Sequence, residues 1–182
     1  ACLPMGGDGF LSAPAPANGK VRKDFELKAI PQYQFKAEEG DSDRDVTQVF
    51  AVFGHVDSVG DRINLGATKK TIQENLRRLR VLWQHDFESP PIGVPMEVSE
   101  KIIEELPPDA ATFYRSQFPD ATGVLLAKVR YLDTPRGNEV LAGIRAGAIN
   151  ENSIGFSTVN GKTAYTVENG KRIRELFEIK LW

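Results

Sequence analysis

Two short segments, far apart in the chain, hold residue types that together perform acyl transfer. One is Leu82-Trp83-Gln84-His85-Asp86, followed by Pro90-Pro91-Ile92-Gly93; the other is Asn152-Ser153-Ile154-Gly155-Phe156. A serine hydroxyl is a weak nucleophile at neutral pH and needs a base to take its proton. Histidine suits that role because its ordinary pKa lies near working pH. The chain has only two histidines, so the choice of base is narrow. The serine segment is not the G-x-S-x-G elbow of the α/β-hydrolases, since no glycine stands two residues before Ser153. Gly155 removes bulk near the serine and on this reading lets a substrate backbone approach.

An imidazole acting as base needs a partner on its other nitrogen to fix the tautomer. Asp86 adjoins His85, but adjacent strand residues point to opposite faces, so it is poorly placed. The alternating segment Arg172 to Trp182 offers Glu175 and Glu178. Their odd spacing puts them on opposite faces, so only one can turn toward the site, and spacing does not choose between them. His55, Asp57, Asp61, His85 and Asp86 include the types that bind zinc or a harder divalent ion. No His-x-x-x-His or Glu-x-x-His spacing supports such a cluster, and Asp57-Ser58-Val59-Gly60-Asp61 reads better as a turn serving backbone geometry. We therefore expect no metal and no cofactor. Arg77, Arg78 and Arg80 form a basic run that reads as a solvated face, with contact to an acidic partner segment as the functional alternative.

These residues need a scaffold. Thr47 to Phe53 reads as a strand, Val81 to His85 as a buried strand, Val94 to Ile103 and Gly123 to Leu132 as alternating strands. Ile149 to Val159 contains the serine strand, Gly161 to Lys171 a hairpin, and Arg172 to Trp182 a final strand. A strand also fits Phe25 to Phe35, broken around Pro31. Helical spacing is clearest over Ala67 to Arg80. A short helix fits Pro107 to Asp120, with Asp109 as N-cap, and another starts at Thr134-Pro135 and runs to about Ala146, with Gly147 near its end. Six or seven strands with two or three helices make an α+β domain on a mostly antiparallel sheet or barrel.

Composition narrows the function. With 23 basic and 25 acidic residues and a net charge of −2, no basic excess marks a nucleic-acid binder. The single cysteine, Cys2, excludes an intrachain disulfide and a cysteine zinc site. No apolar run is long enough to span a membrane, and the N-terminus lacks a signal-peptide pattern. Residues 1–19 are rich in Ala, Pro and Gly and read as a flexible arm ahead of a single domain over 20–182.

In order along the chain, the segments Phe53-Gly54-His55-Val56-Asp57-Ser58-Val59-Gly60-Asp61-Arg62, Gly66-Ala67, Leu82-Trp83-Gln84-His85-Asp86 and Pro91-Ile92-Gly93 are followed by Leu132-Asp133-Thr134-Pro135-Arg136-Gly137 and Ala146-Gly147-Ala148-Ile149. Ser153-Ile154-Gly155-Phe156 and Glu178-Ile179-Lys180-Leu181-Trp182 complete the set. Taken jointly, residues 47–182 resemble the prohead (capsid maturation) serine proteases of tailed bacteriophages, similar in fold to the herpesvirus assemblins. The resemblance implies a small, mainly antiparallel β-barrel with surrounding helices, Ser153 as nucleophile, His85 as general base and Glu178 rather than Glu175 as the third member. It implies a serine endopeptidase that cuts the major capsid protein and scaffold segments, and itself, inside the procapsid within the bacterial host cytoplasm. Assemblin-like enzymes are dimers when active, which leaves a homodimer as one open arrangement. Two departures stand out: a helical insertion at about 104–120, near the substrate groove, and an end at Leu181-Trp182 where the family pattern runs on, implying C-terminal truncation. The rival readings are a non-catalytic capsid or tail assembly module and a metal-dependent hydrolase using His55 and His85.

Overall fold

Alternating apolar residues give the middle of this fold two faces, each covered by different elements. The computed structural model describes residues 29–182, so the expected arm over 1–19 and Cys2 lie outside the described residues. In chain order the elements are strands β1 (Ile30–Pro31), β2 (Asp45–Phe53) and β3 (Asp61–Ile63), helix α1 (Lys69–Asn75), strand β4 (Gly93–Ile102), helix α2 (Pro108–Gln117), strand β5 (Gly123–Tyr131) and helix α3 (Pro135–Arg145). The short strands β6 (Glu151–Asn152) and β7 (Phe156–Thr158) follow, then β8 (Thr163–Glu168), β9 (Lys171–Leu176) and β10 (Ile179–Leu181). β5 lies between β2 and β4, antiparallel to both. β9 pairs antiparallel with β8 and parallel with β3, while β10 pairs with β7 and β1 with β6. The sheets are mainly antiparallel, as expected, but among the described residues the strands form four separate sheets and no closed ring.

Along β5, Leu125, Ala127, Val129 and Tyr131 enter one apolar cluster, while Val124 and Leu126 enter another. The strict period of two is the reason. The first cluster takes in Ala67, Leu79, Val140, Leu141 and Ile154, so α3 and the loops around the candidate serine cover this face. The second takes in Ile30, Ile103, Leu106, Ala110 and Tyr114, so β1 and α2 cover the other. The helix expected within 104–120 thus packs on the sheet face turned away from the first cluster.

Several boundaries differ from expectation for local reasons. The α-helix of α1 is shorter than Ala67 to Arg80. It passes into a 3-10 turn at Leu76–Arg78, and Leu79 is already extended, with ψ 143°, to feed the chain toward the sheet. Asp109 lies in the first turn of α2 rather than at its cap. Pro107 holds the cap position, and Pro108 occupies the first turn, where its missing N–H costs nothing. α3 starts as expected, with the Thr134 side chain accepting from the Gly137 N–H at 3.1 Å. The hairpin turn at Asn169 (φ 50°) and Gly170 (φ 74°) supplies the two positive φ angles that a tight two-residue connection needs.

One carboxylate ties α1 to the central sheet. Glu100 of β4 accepts from the Gly66 N–H at 2.6 Å, the Thr68 N–H at 2.8 Å and the Thr68 hydroxyl at 2.6 Å. Negative charge at a helix start is favourable, and here it arrives from a neighbouring strand. Glu100→Ala strands these donors and is expected to lower stability by about 2–3 kcal/mol, read as a fall in the urea midpoint. Glu100→Gln, which keeps one acceptor oxygen, loses less.

Candidate active site

His85 does not sit in a strand. Val81 makes an isolated bridge to Gly93, with Val81 N–H to Gly93 O at 3.0 Å and Ile92 N–H to Val81 O at 2.9 Å, and there the pairing stops. The chain turns at once. The Asp86 N–H donates to Trp83 O at 3.0 Å, and the two residues between, Gln84 (φ 48°) and His85 (φ 56°), are both in the left-handed region. Non-glycine residues there cost on the order of 1–2 kcal/mol each and persist only where the surroundings over-determine them. Asp86 braces the loop that follows: its Oδ1 accepts from the Glu88 N–H at 2.9 Å and the Ser89 N–H at 3.2 Å. Hydrogen bonds from Ser89 and Glu88 hold its carboxyl below the usual carboxylate range.

Ser153 also lies outside regular structure, in the three-residue gap between β6 and β7 rather than in the strand expected over Ile149 to Val159. The gap is pinned by its neighbours, because Ile154 and Phe156 are buried in the first core and Phe156 pairs with Leu181 of β10. Gly155 has a different purpose from the one its sequence context suggested. A Cβ built on it would come within 2.7 Å of the Trp182 ring, so the indole, not a substrate backbone, takes up the space. The Trp182 indole N–H donates to the Ser157 hydroxyl at 3.2 Å, which fixes the ring over the glycine.

His85 and Ser153 line one cavity of about 480 Å³. Its floor is the first face of the central sheet, with Val98, Leu125, Ala127 and Val129, and α3 adds Val140 and Ile144. Burial pushes the His85 imidazole below its ordinary value of 6.5, because an apolar wall disfavours the charged form. A neutral imidazole with an acceptor nitrogen is the form a general base requires. The charged residues on the wall are Arg80 and Glu151. Sequence reasoning passed over Glu151, although it stands two residues before Ser153.

The carboxylates weighed as third members stand elsewhere. Glu175 is buried in a network on the β3–β9–β8 sheet: it accepts from Arg62 and Asn64 at 2.8 Å each and from the Thr166 hydroxyl at 3.0 Å. Glu178 lies 3.4 Å from Lys70 Nζ and 3.8 Å from Lys162 Nζ, and it does not line the cavity. Asp86 is held in its own turn. The remaining histidine, His55, bonds through Nδ1 to Asp120 Oδ1 at 2.6 Å, lies edge-on to Phe118 and is not part of the cavity wall. Asp57 accepts from the Val59 and Asp61 N–H groups as a turn residue, and Asp61 pairs with Arg174. Among the described residues no group of three or more His, Cys, Asp or Glu could hold a metal ion.

Residues 117–182 match the family model described as caudovirus prohead serine protease. The match contains Ser153 and Glu178. The solved structure of the bacteriophage T4 capsid assembly protease, gp21, resembles this chain with a TM-score of 0.50 at 13% sequence identity, over 87% of this chain and 92% of that one. At that identity the likeness speaks for the fold. No curated protein matches. The family match and the shared fold both support the resemblance to prohead proteases that the ordered motifs carry.

Gly155→Ala drives a methyl into the Trp182 ring and is expected to cost about 1–3 kcal/mol of stability, read from the urea midpoint. Loss of Trp182 fluorescence change on unfolding, measured against Trp83→Phe as background, would report that the indole had already left its seat.

Proposed function

We propose that this chain is a serine endopeptidase of phage head maturation, acting on scaffold segments and the major capsid protein in the procapsid. The observation that carries the reading is the meeting of Ser153 and His85. Two unrelated irregular segments, one after a strand bridge and one between short strands, bring them to the wall of the same apolar cavity. Irregular backbone held by a rigid sheet is where reactive side chains are usually presented.

In the mechanism, the Ser153 hydroxyl attacks the carbonyl carbon of a peptide bond while His85 takes its proton. The imidazolium then gives that proton to the leaving amine, and the C–N bond breaks to leave an acyl-serine. Water attacks the ester with His85 as base again, which releases the acid product and restores Ser153. The apolar floor disfavours the charged imidazolium and so lowers the pKa of the resting base. The resemblance names Glu178 as the residue that would orient the imidazolium; its carboxylate is paired with Lys70 and Lys162, so the geometry adds nothing to that assignment. Self-cleavage, a homodimer and a setting inside the procapsid of an infected cell belong to the same reading, on the resemblance alone.

Ser153→Ala is expected to abolish labelling by a small fluorophosphonate and to stop the processing of capsid and scaffold proteins seen by mass spectrometry, a loss of roughly a million-fold. Absence of labelling in the unmodified full chain would favour the assembly-module reading instead. In the same assays Glu178→Gln lowers the rate by orders of magnitude if it belongs to a triad, whereas a change under about threefold leaves a Ser153–His85 pair acting alone. The pH profile follows from His85. Protonation removes the base, so the rate falls as pH falls through the folded-state pKa, which burial has lowered. The midpoint of the acid limb is therefore expected below the ordinary histidine value, and a midpoint above it would mean that His85 is not the group observed.

A further inference from the structure

Phe87 is an aromatic residue 57% exposed to solvent, two positions after His85. It also lines the cavity, and its ring centroid lies 4.8 Å from that of Trp182, with the planes tilted by 49°. Trp182 in turn rests on Gly155, two positions after Ser153, so closely that no Cβ fits between them. It is bonded as well to Ser157 on the far side of that glycine. One ring of this aromatic contact thus stands two residues after the candidate base, and the other lies against the glycine two residues after the candidate nucleophile. We propose that Phe87 and Trp182 are positioning residues: their contacting rings bridge the histidine loop to the serine segment and set the distance between base and nucleophile. The inference rests on the Ser153–His85 reading above.

The reason a bridge is needed lies in the loop itself. Residues 86–89 are braced from within, by Asp86 accepting from Glu88 and Ser89. Bonds of that kind stiffen a loop without deciding where it sits as a unit. His85 is carried at its start in an unfavourable left-handed conformation that relaxation would abandon. A ring contact resolves this, since offset and tilted aromatic pairs have preferred geometry and large contact area. Its other end is not free to drift. The indole is held by its bond to Ser157, by contact with Gly155 and by the β10–β7 pairing just before it. The charged side chains lining the same cavity are Arg80 and Glu151, and Asp86 adjoins His85 in the loop.

An exposed aromatic at a cavity mouth has a competing use as a substrate contact, and kinetics separate the two. The experiment compares the full chain with Phe87→Ala, Phe87→Tyr and Trp182→Phe, measuring the rate of labelling by a small fluorophosphonate against pH, peptide kcat and KM, and thermal midpoint. Phe87→Ala should label roughly 10- to 100-fold more slowly, the loss expected from about 1 Å of misplacement, with its thermal midpoint unchanged. Its kcat should fall while KM stays within about twofold, and the acid limb should move up toward the ordinary histidine value as water reaches the imidazole. Phe87→Tyr, which keeps the ring, should recover most of the rate, whereas Trp182→Phe, which loses the bond to Ser157 and the ring atoms against Gly155, should label more slowly than wild type. A Phe87→Ala protein that labels at the wild-type rate and pH midpoint, or that loses activity only through KM, overturns the bridge and leaves the protease reading intact. A wild-type chain that is not labelled overturns both.

Discussion

The constraint on which the rest depends is that β5 is buried on both sides. Over Val124 to Ala127 it carries apolar residues at every step, with Lys128 and Arg130 interrupting only the second face farther along, so its neighbours must bury two faces instead of one. Here the two faces are closed by different means. β1 and α2 cover one with Ile30, Ile103, Ala110 and Tyr114 and seal it. The other is covered by α3, α1 and short strands that leave a hollow above Leu125, Ala127 and Val129. The cavity is the part of the first core that helices do not fill, and the two reactive side chains stand where the covering chain is least regular.

Charge is distributed to match. The buried ionic groups gather on the β3–β9–β8 sheet, where Asp61 meets Arg174 through both oxygens and Glu175 meets Arg62 with further donors from Asn64 and Thr166. Burial of an ion is tolerated when partners and hydrogen bonds replace water, and breaking such a set is costly. Keeping that network away from the cavity has a chemical effect. The largely apolar wall around His85 disfavours the charged imidazolium and pushes its pKa below the ordinary value.

Much of the scaffold was legible in the sequence because its signals are local. β2 follows from its β-rich apolar composition, β4 and β5 from alternation, and α3 from Thr134, Pro135 and the closing Gly147, while the hairpin expected over Gly161 to Lys171 extends to Leu176 and turns at Asn169-Gly170. The site was legible in its residue types but not in its backbone. Val81 to His85 has strand composition, yet only Val81 finds a partner, since the chain must turn back to reach Gly93. Ser153 reads as a strand residue, but the pairing that defines its surroundings, β7 with β10, joins residues more than twenty positions apart. The same long-range dependence hid the role of Gly155. No local pattern says that an indole from Trp182 will lie on it.

That dependence gives the last segment of the chain its significance. Ile179 and Leu181 face the core in alternation with exposed Lys180, so β10 is fixed in register by burial as well as by its pairing with β7. A shift of one residue would expose both apolar side chains, which makes the register hard to lose. Leu181 and Trp182 consequently reach the cavity wall at a defined height beside Ser153. What ties this segment most visibly to the candidate site is therefore mechanical. Its buried pair sets the register, the register sets the indole, and the indole touches both the glycine next to the serine and the ring next to the histidine.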